Sequence, residues 1–197
     1  ENKDDNLCFA RAVITAMGRP IKNKRKAHPE WNSIRRGGPV LTTMAKELHA
    51  KAGVPEGVVS AEDFDKFQAI LSPHVRLVVY GLRGMDGIIY EGPAAEHSVY
   101  LFYHHTHFDV IASPVKFVNR SYFCEACLKG YNNRHSHYKC TMGNSCTPTC
   151  SQCLTSECNA RVPDQNDNGT WIKCTDCLRS FKTQRCFDLH RDDRFQT

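Results

Sequence analysis

Asp5-Asn6-Leu7-Cys8-Phe9-Ala10-Arg11-Ala12-Val13 is the stretch on which the reading of the fold turns, and Cys8 is the only cysteine in the first 123 residues. An acidic residue, an Asn and a lone Cys open an apolar-periodic run of Leu7, Phe9, Val13, Ile14 and Met17. The pattern predicts a turn feeding a helix over 7–17, ended by Gly18 with Pro20 beyond it. At a helix N-terminus the unpaired backbone N–H groups and the helix dipole stabilise a thiolate, which makes Cys8 the first candidate for covalent catalysis. A nucleophile needs a base, and the chain offers Tyr103-His104-His105-Thr106-His107-Phe108-Asp109-Val110-Ile111. In a strand the two-residue period puts His107 and Asp109 on one face, where the carboxylate can orient the imidazole that deprotonates Cys8. Together the two segments point to thiol hydrolase chemistry.

The residues between them supply a core. The stretch from Ile21 to Gly38 carries Lys22, Lys24, Arg25, Lys26, Arg35 and Arg36 with little periodicity and reads as a long exposed loop. Its basic character suits either an acidic partner or a merely solvated insertion. Val40, Leu41, Met44, Leu48 and Ala52 recur at helical spacing, which predicts a helix over 39–52 with Pro39 at its start and Gly53 after its end. Ser60-Ala61-Glu62-Asp63 is a capping signature, and Phe64, Phe67, Ile70 and Leu71 are the expected buried face of the helix that follows. Beyond Pro73 four strands are expected, at 75–80, 87–91, 98–103 and 108–111. Helices followed by an antiparallel sheet make an α+β arrangement over residues 1–118.

Four histidines compete for the role of base: His97, His104, His105 and His107. His107 is preferred because only it has an Asp two residues on; His105 shares its face and is the reserve. Another Asn or Asp can replace Asp109 as the orienting group. The competing readings are a metal site at the His cluster, which a single nearby thiol disfavours, and a buried structural Cys8.

Asp5-x-x-Cys8 with Phe9-Ala10-Arg11-Ala12-Val13 resembles the nucleophile motif of ovarian-tumour (OTU) type deubiquitinases, and His107-Phe108-Asp109 resembles their His-aromatic-Asp/Asn motif. Asn6-Leu7 stands where the family usually has Gly-Asn, and Asn tolerates left-handed backbone. The resemblance implies a papain-like (OTU-like) cysteine protease fold and a thiol-dependent isopeptidase acting on ubiquitin or a ubiquitin-like modifier. Cys8 would be the nucleophile, His107 the general base and then acid, and Asp109 its orienting group. The N–H groups of Cys8 and of the turn at Asp5 would form the oxyanion hole.

The segment from Tyr122-Phe123-Cys124-x-x-Cys127 to Cys186-x-x-x-His190 resembles the cysteine-rich part of protein-primed family B DNA polymerases of Polinton/Maverick-type transposable elements. It implies a protease domain excised from a larger, polymerase-containing mobile-element polyprotein. That parent polyprotein is an expected partner, and processing it is a related activity.

Ten of the eleven cysteines fall between residues 124 and 186. Paired Cys-x-x-Cys spacing with interspersed His, in a chain without a secretory signal, argues for zinc over disulfides, and places the protein inside the cell, in cytoplasm or nucleus. Ten cysteines and two histidines divide into three tetrahedral, structural sites. Cys124, Cys127, His137 and Cys140 make the first, Cys146, Cys150, Cys153 and Cys158 the second, and Cys174, Cys177, Cys186 and His190 the third. The pairing can interleave, and His135 can replace His137. Residues 119–197 are therefore expected to be a small irregular zinc-binding domain that folds with its metal. The formal charge of +5 invites nucleic acid. Thiolate charge outweighs bound Zn²⁺, however, and removes the basic footprint of this segment, so nucleic-acid binding is expected to be weak. No stretch is apolar and long enough to cross a bilayer. The alternative function is a zinc-binding, nucleic-acid or polymerase-associated module beside a processing or inactive protease domain.

Overall fold

The computed structural model describes residues 6–20, 26–81, 87–133, 137, 172–175, 180–181 and 183–192. The chain divides into two compact units, residues 1–82 with 91–112 and residues 83–90 with 113–197. Asp5, Cys140, Cys146, Cys150, Cys153, Cys158 and Cys177 lie outside the described residues, as does His135.

In the first unit, α1 (Cys8–Gly18) runs one residue later at each end than the expected 7–17. Asn6 takes a left-handed φ of +52°, which a β-branched or bulky residue would adopt only under strain. Leu7 is the N-cap, and Arg11 N–H donates to its carbonyl over 2.9 Å, the bond that opens the helix. The basic stretch is not all loop. One helical turn, α2 (Trp31–Ile34), interrupts it, because Ile34 is buried and sits against Gly18, where a Cβ would stand 3.2 Å from its Cδ1. Then α3 (Pro39–Ala52) has Pro in its first turn and stops at Gly53, whose φ is +64°. Near its end the buried His49 donates from Nδ1 to the carbonyls of Val54 (3.3 Å) and Pro55 (3.1 Å), tying the helix to the chain that leaves it.

The capping box at Ser60 forms as expected and leads through a 3-10 turn (Ala61–Asp63) into α4 (Phe64–Leu71). Phe64, Phe67 and Leu71 are buried, but Ile70 is 44% exposed and Gln68 takes the expected fourth core place. The reason is polar. Gln68 Nε2 donates to the Val75 carbonyl (2.8 Å), and its Oε1 accepts from Leu77 N–H (2.7 Å), so one side chain satisfies two backbone groups of the adjoining strand.

That strand is β1 (Val75–Tyr80), and in this unit β3 (His97–His104) and β4 (His107–Val110) follow it in the order β1-β3-β4, whereas most of β2 (Ile88–Glu91) falls in the second unit. The expected antiparallel sheet is corrected to a mixed one. β1 and β3 run parallel, from Val75↔His97 to Tyr80↔Phe102, and β3 and β4 form an antiparallel hairpin, from Leu101↔Val110 to His104↔His107. All six residues of β1 are buried, the charged Arg76 among them. Arg76 is accommodated by pairing with the Glu91 carboxylate and donating from Nε to the Gly92 carbonyl (3.2 Å).

Helix and sheet meet in an aromatic core with Phe9 at its hub. Its ring lies 4.7 Å from Phe67, 5.5 Å from Phe64 and 5.0 Å from Phe108, the last edge-on at 83°. Tyr103 adds its ring 4.7 Å from Phe108.

The second unit, where described, is more regular than the sequence suggests. After α5 (Pro114–Phe117), β5 (Tyr122–Cys124) and β6 (Lys129–Tyr131) pair as a hairpin. Further on, β7 (Ile172–Lys173) and β8 (Ser180–Phe181) pair and are followed by α6 (Gln184–Asp192). Among the described residues no helix is long and apolar enough to cross a membrane.

Candidate active site and metal centre

Cys8 is the first residue of α1, half-buried, and no side chain among the described residues caps the N-terminus of this helix. His107 begins β4 and Asp109 follows two residues on, with Phe108 pointing the other way into the core. Because Phe9 packs on Phe108, the residue after Cys8 touches the residue between His107 and Asp109. The core thus brings the two sequence-predicted segments together. It does not close the dyad: no hydrogen bond joins Cys8 Sγ to His107.

On the outer face of the hairpin, cross-strand register places Phe102 opposite Asp109 and His104 opposite His107. The Asp109 carboxylate lies between two imidazoles. Its Oδ2 is 2.5 Å from His104 Nε2, a hydrogen bond, and its Oδ1 is 3.5 Å from His107 Nε2, an ion-pair distance. His104 also stacks on Phe102, with centroids 4.9 Å apart and planes 23° apart. His105, the reserve base, does not share this face. It and Thr106 form the two-residue turn, at φ +43° and +66°, and are exposed. The strand is broken there, so the neighbour of His107 is found across the hairpin instead of two residues back along the chain. His97 lies at the start of β3, 3.7 Å from Glu96.

In the second unit, Cys124, Cys127 and His137 converge, their ligand atoms all within 4.8 Å of one another. Cys127 Sγ is 3.4 Å from His137 Nε2, close to the roughly 3.5–3.8 Å between ligand atoms of a tetrahedral zinc site. The turn supports this arrangement: Leu128 N–H donates to the Cys124 carbonyl over 2.8 Å, and Leu128 takes φ +57°, which folds the chain back into β6. Tyr131 stacks on the His137 ring at 4.3 Å and 14°, fixing its plane. Two soft thiolates and an imidazole are a donor set suited to zinc. Elsewhere in this unit Cys174, Cys186 and Phe181 form a buried cluster joined by His190, whose ring is 4.5 Å from Phe181.

Comparison with protein-family models, with curated proteins and with solved structures gave no significant match.

Proposed function

We propose that the first unit is a papain-like, OTU-like thiol isopeptidase acting on ubiquitin or a ubiquitin-like modifier. The observation that carries this reading is the Phe9–Phe108 contact, which sets the helix start bearing Cys8 beside the strand bearing His107 and Asp109. In the reaction, His107 takes the Cys8 proton and the thiolate attacks the carbonyl carbon of the isopeptide bond. The protonated His107 then gives its proton to the departing amine, leaving an acyl-enzyme that water hydrolyses. With Nε2 of His107 toward Asp109, Nδ1 is the nitrogen available to the thiol. The N–H groups of Cys8 and of the turn beginning at Asp5 would bind the oxyanion. The Cys8–His107 hydrogen bond would form as substrate binds, because such bonds are often long without a ligand.

In the second unit Cys124, Cys127 and His137, with Cys140 as fourth ligand, would hold a structural zinc. Cys146, Cys150, Cys153 and Cys158 would hold a second ion, and Cys174, Cys177, Cys186 and His190 a third. Bound zinc would supply folding energy and no chemistry at the isopeptide bond. This reading places the protein inside the cell, in cytoplasm or nucleus, where thiols stay reduced.

The test is covalent trapping of the full, zinc-loaded chain with ubiquitin and ubiquitin-like modifiers carrying a C-terminal thiol-reactive warhead. A modifier-sized mass on the wild type, lost in Cys8→Ala and slowed in His107→Ala, is expected. No adduct with any modifier on folded protein overturns the reading.

A second reading draws on the exposed Gln184, Arg185 and Arg191 of α6, a helix that also carries Asp188 and Asp192. It would be a nucleic-acid or polymerase-associated module within a transposable-element polyprotein, and DNA affinity falling steeply with salt would favour it.

A further inference from the structure

The outer face of the β3–β4 hairpin carries one contact that the triad chemistry does not require. Asp109 is 54% exposed in its side chain and lies on an edge strand, where a carboxylate is free to rotate and water competes for both oxygens. At 3.5 Å the approach of His107 does not by itself fix that carboxylate. His104 does: its Nε2 is 2.5 Å from Oδ2.

We infer that His104 is a positioning residue, which donates from Nε2 to Asp109 Oδ2 and so holds Oδ1 toward Nε2 of His107. The inference rests on the thiol-hydrolase reading and adds to it a residue that acts through Asp109. The geometry is divided cleanly, with one carboxylate oxygen given to each imidazole. Phe102 stacks on His104 and sets its plane, and the hairpin closes with His104 directly opposite His107, so donor, carboxylate and base are held by one short piece of sheet. His105, edge-on at 5.6 Å, is the other titratable ring beside His104. With Oδ1 facing it, His107 keeps its proton on Nε2 and presents the Nδ1 lone pair, the form that can accept the thiol proton. Without His104, Asp109 swings into solvent and His107 samples both tautomers.

The test uses the full, zinc-loaded chain and needs no substrate. Iodoacetamide alkylation of Cys8 is followed by the mass of the Cys8 peptide, beside ring ¹⁵N shifts of His107. His107→Ala should slow alkylation at neutral pH, and His104→Ala should slow it roughly tenfold, the effect of losing one hydrogen bond to a charged group. His104→Gln, whose amide can reach the same oxygen, should restore most of the rate. The ¹⁵N shifts should move from a single tautomer toward an average in His104→Ala and return in His104→Gln, with all variants melting as the wild type does. If His107→Ala is slow but His104→Ala reacts like the wild type with an unchanged tautomer, the inference fails and the hydrolase reading stands. If His107→Ala itself reacts like the wild type, the hydrolase reading fails and takes the inference with it.

Discussion

At the scale of single residues the unit around Cys8 depends on groups that have nothing to do with chemistry. Gly92 is one. A Cβ at this position would stand 2.1 Å from Gln68 Oε1 and 2.6 Å from its Cδ, so the space a side chain would occupy is already filled by the amide that serves β1. Gly92→Ala should therefore expel the Gln68 amide and leave the Leu77 N–H and Val75 carbonyl without it, destabilising the fold by about 2–4 kcal/mol in urea titration. Placed on a Gln68→Ala background the same change should cost much less, since the collision and the bonds are both gone. Additive effects in that double-mutant cycle would show that the two residues act separately.

At the scale of elements, the capping box that starts α4 makes a pH-dependent contribution. Burial would raise the Asp63 carboxyl, but hydrogen bonds from the Lys66 ammonium and from the Ser60 N–H and hydroxyl outweigh it, with help from the Lys66 charge, and hold it below its ordinary 3.8. A carboxyl lowered in the folded state stabilises that state above its unfolded pKa, and the contribution is lost as pH falls through the folded one. Asp63→Ala should thus cost about 1 kcal/mol at pH 7, and the gap in melting temperature from the wild type should close as the pH drops below the ordinary carboxylate range. A gap that stays constant through that range would exclude the charged cap.

Much of this element-level structure is legible in the sequence because its causes are local. The start of α1 after Asn6, the stop of α3 at Gly53 and the box at Ser60 each depend on residues a few places apart. The sheet was only partly legible. Val75-Arg76-Leu77-Val78-Val79-Tyr80 announces a strand, but whether its neighbour runs parallel depends on the path of the chain between the two, which no local pattern records. Likewise the two-residue turn at His105-Thr106 lacks the Gly or Asn such turns favour, so the sequence could not show that His104 faces His107 across it. Gln68 in place of Ile70 in the core is the same lesson: a polar side chain is buried for what it bonds, and its partners are strand backbone groups that sequence periodicity does not reveal.

At the scale of the whole molecule, two different forces hold the two units. The first has an aromatic core of Phe9, Phe64, Phe67 and Phe108; the second, in the described residues, gathers small apolar clusters around cysteine and histidine. If zinc fills those groups, a strong chelator should unfold the second unit while leaving the first folded, because metal binding and folding are one event there and not in the aromatic core. Hydrogen exchange followed by mass spectrometry should then show protection lost at β5–β6 and α6 and retained at β1 and β3. Equal loss in both units, or in neither, would contradict that division. The place of Phe9 also limits how this protein can adapt. A ring next to Cys8 in the chain is the hub of the packing, so a lineage cannot loosen its core, or stiffen it for heat, without moving the Cys8 thiol by the same stroke.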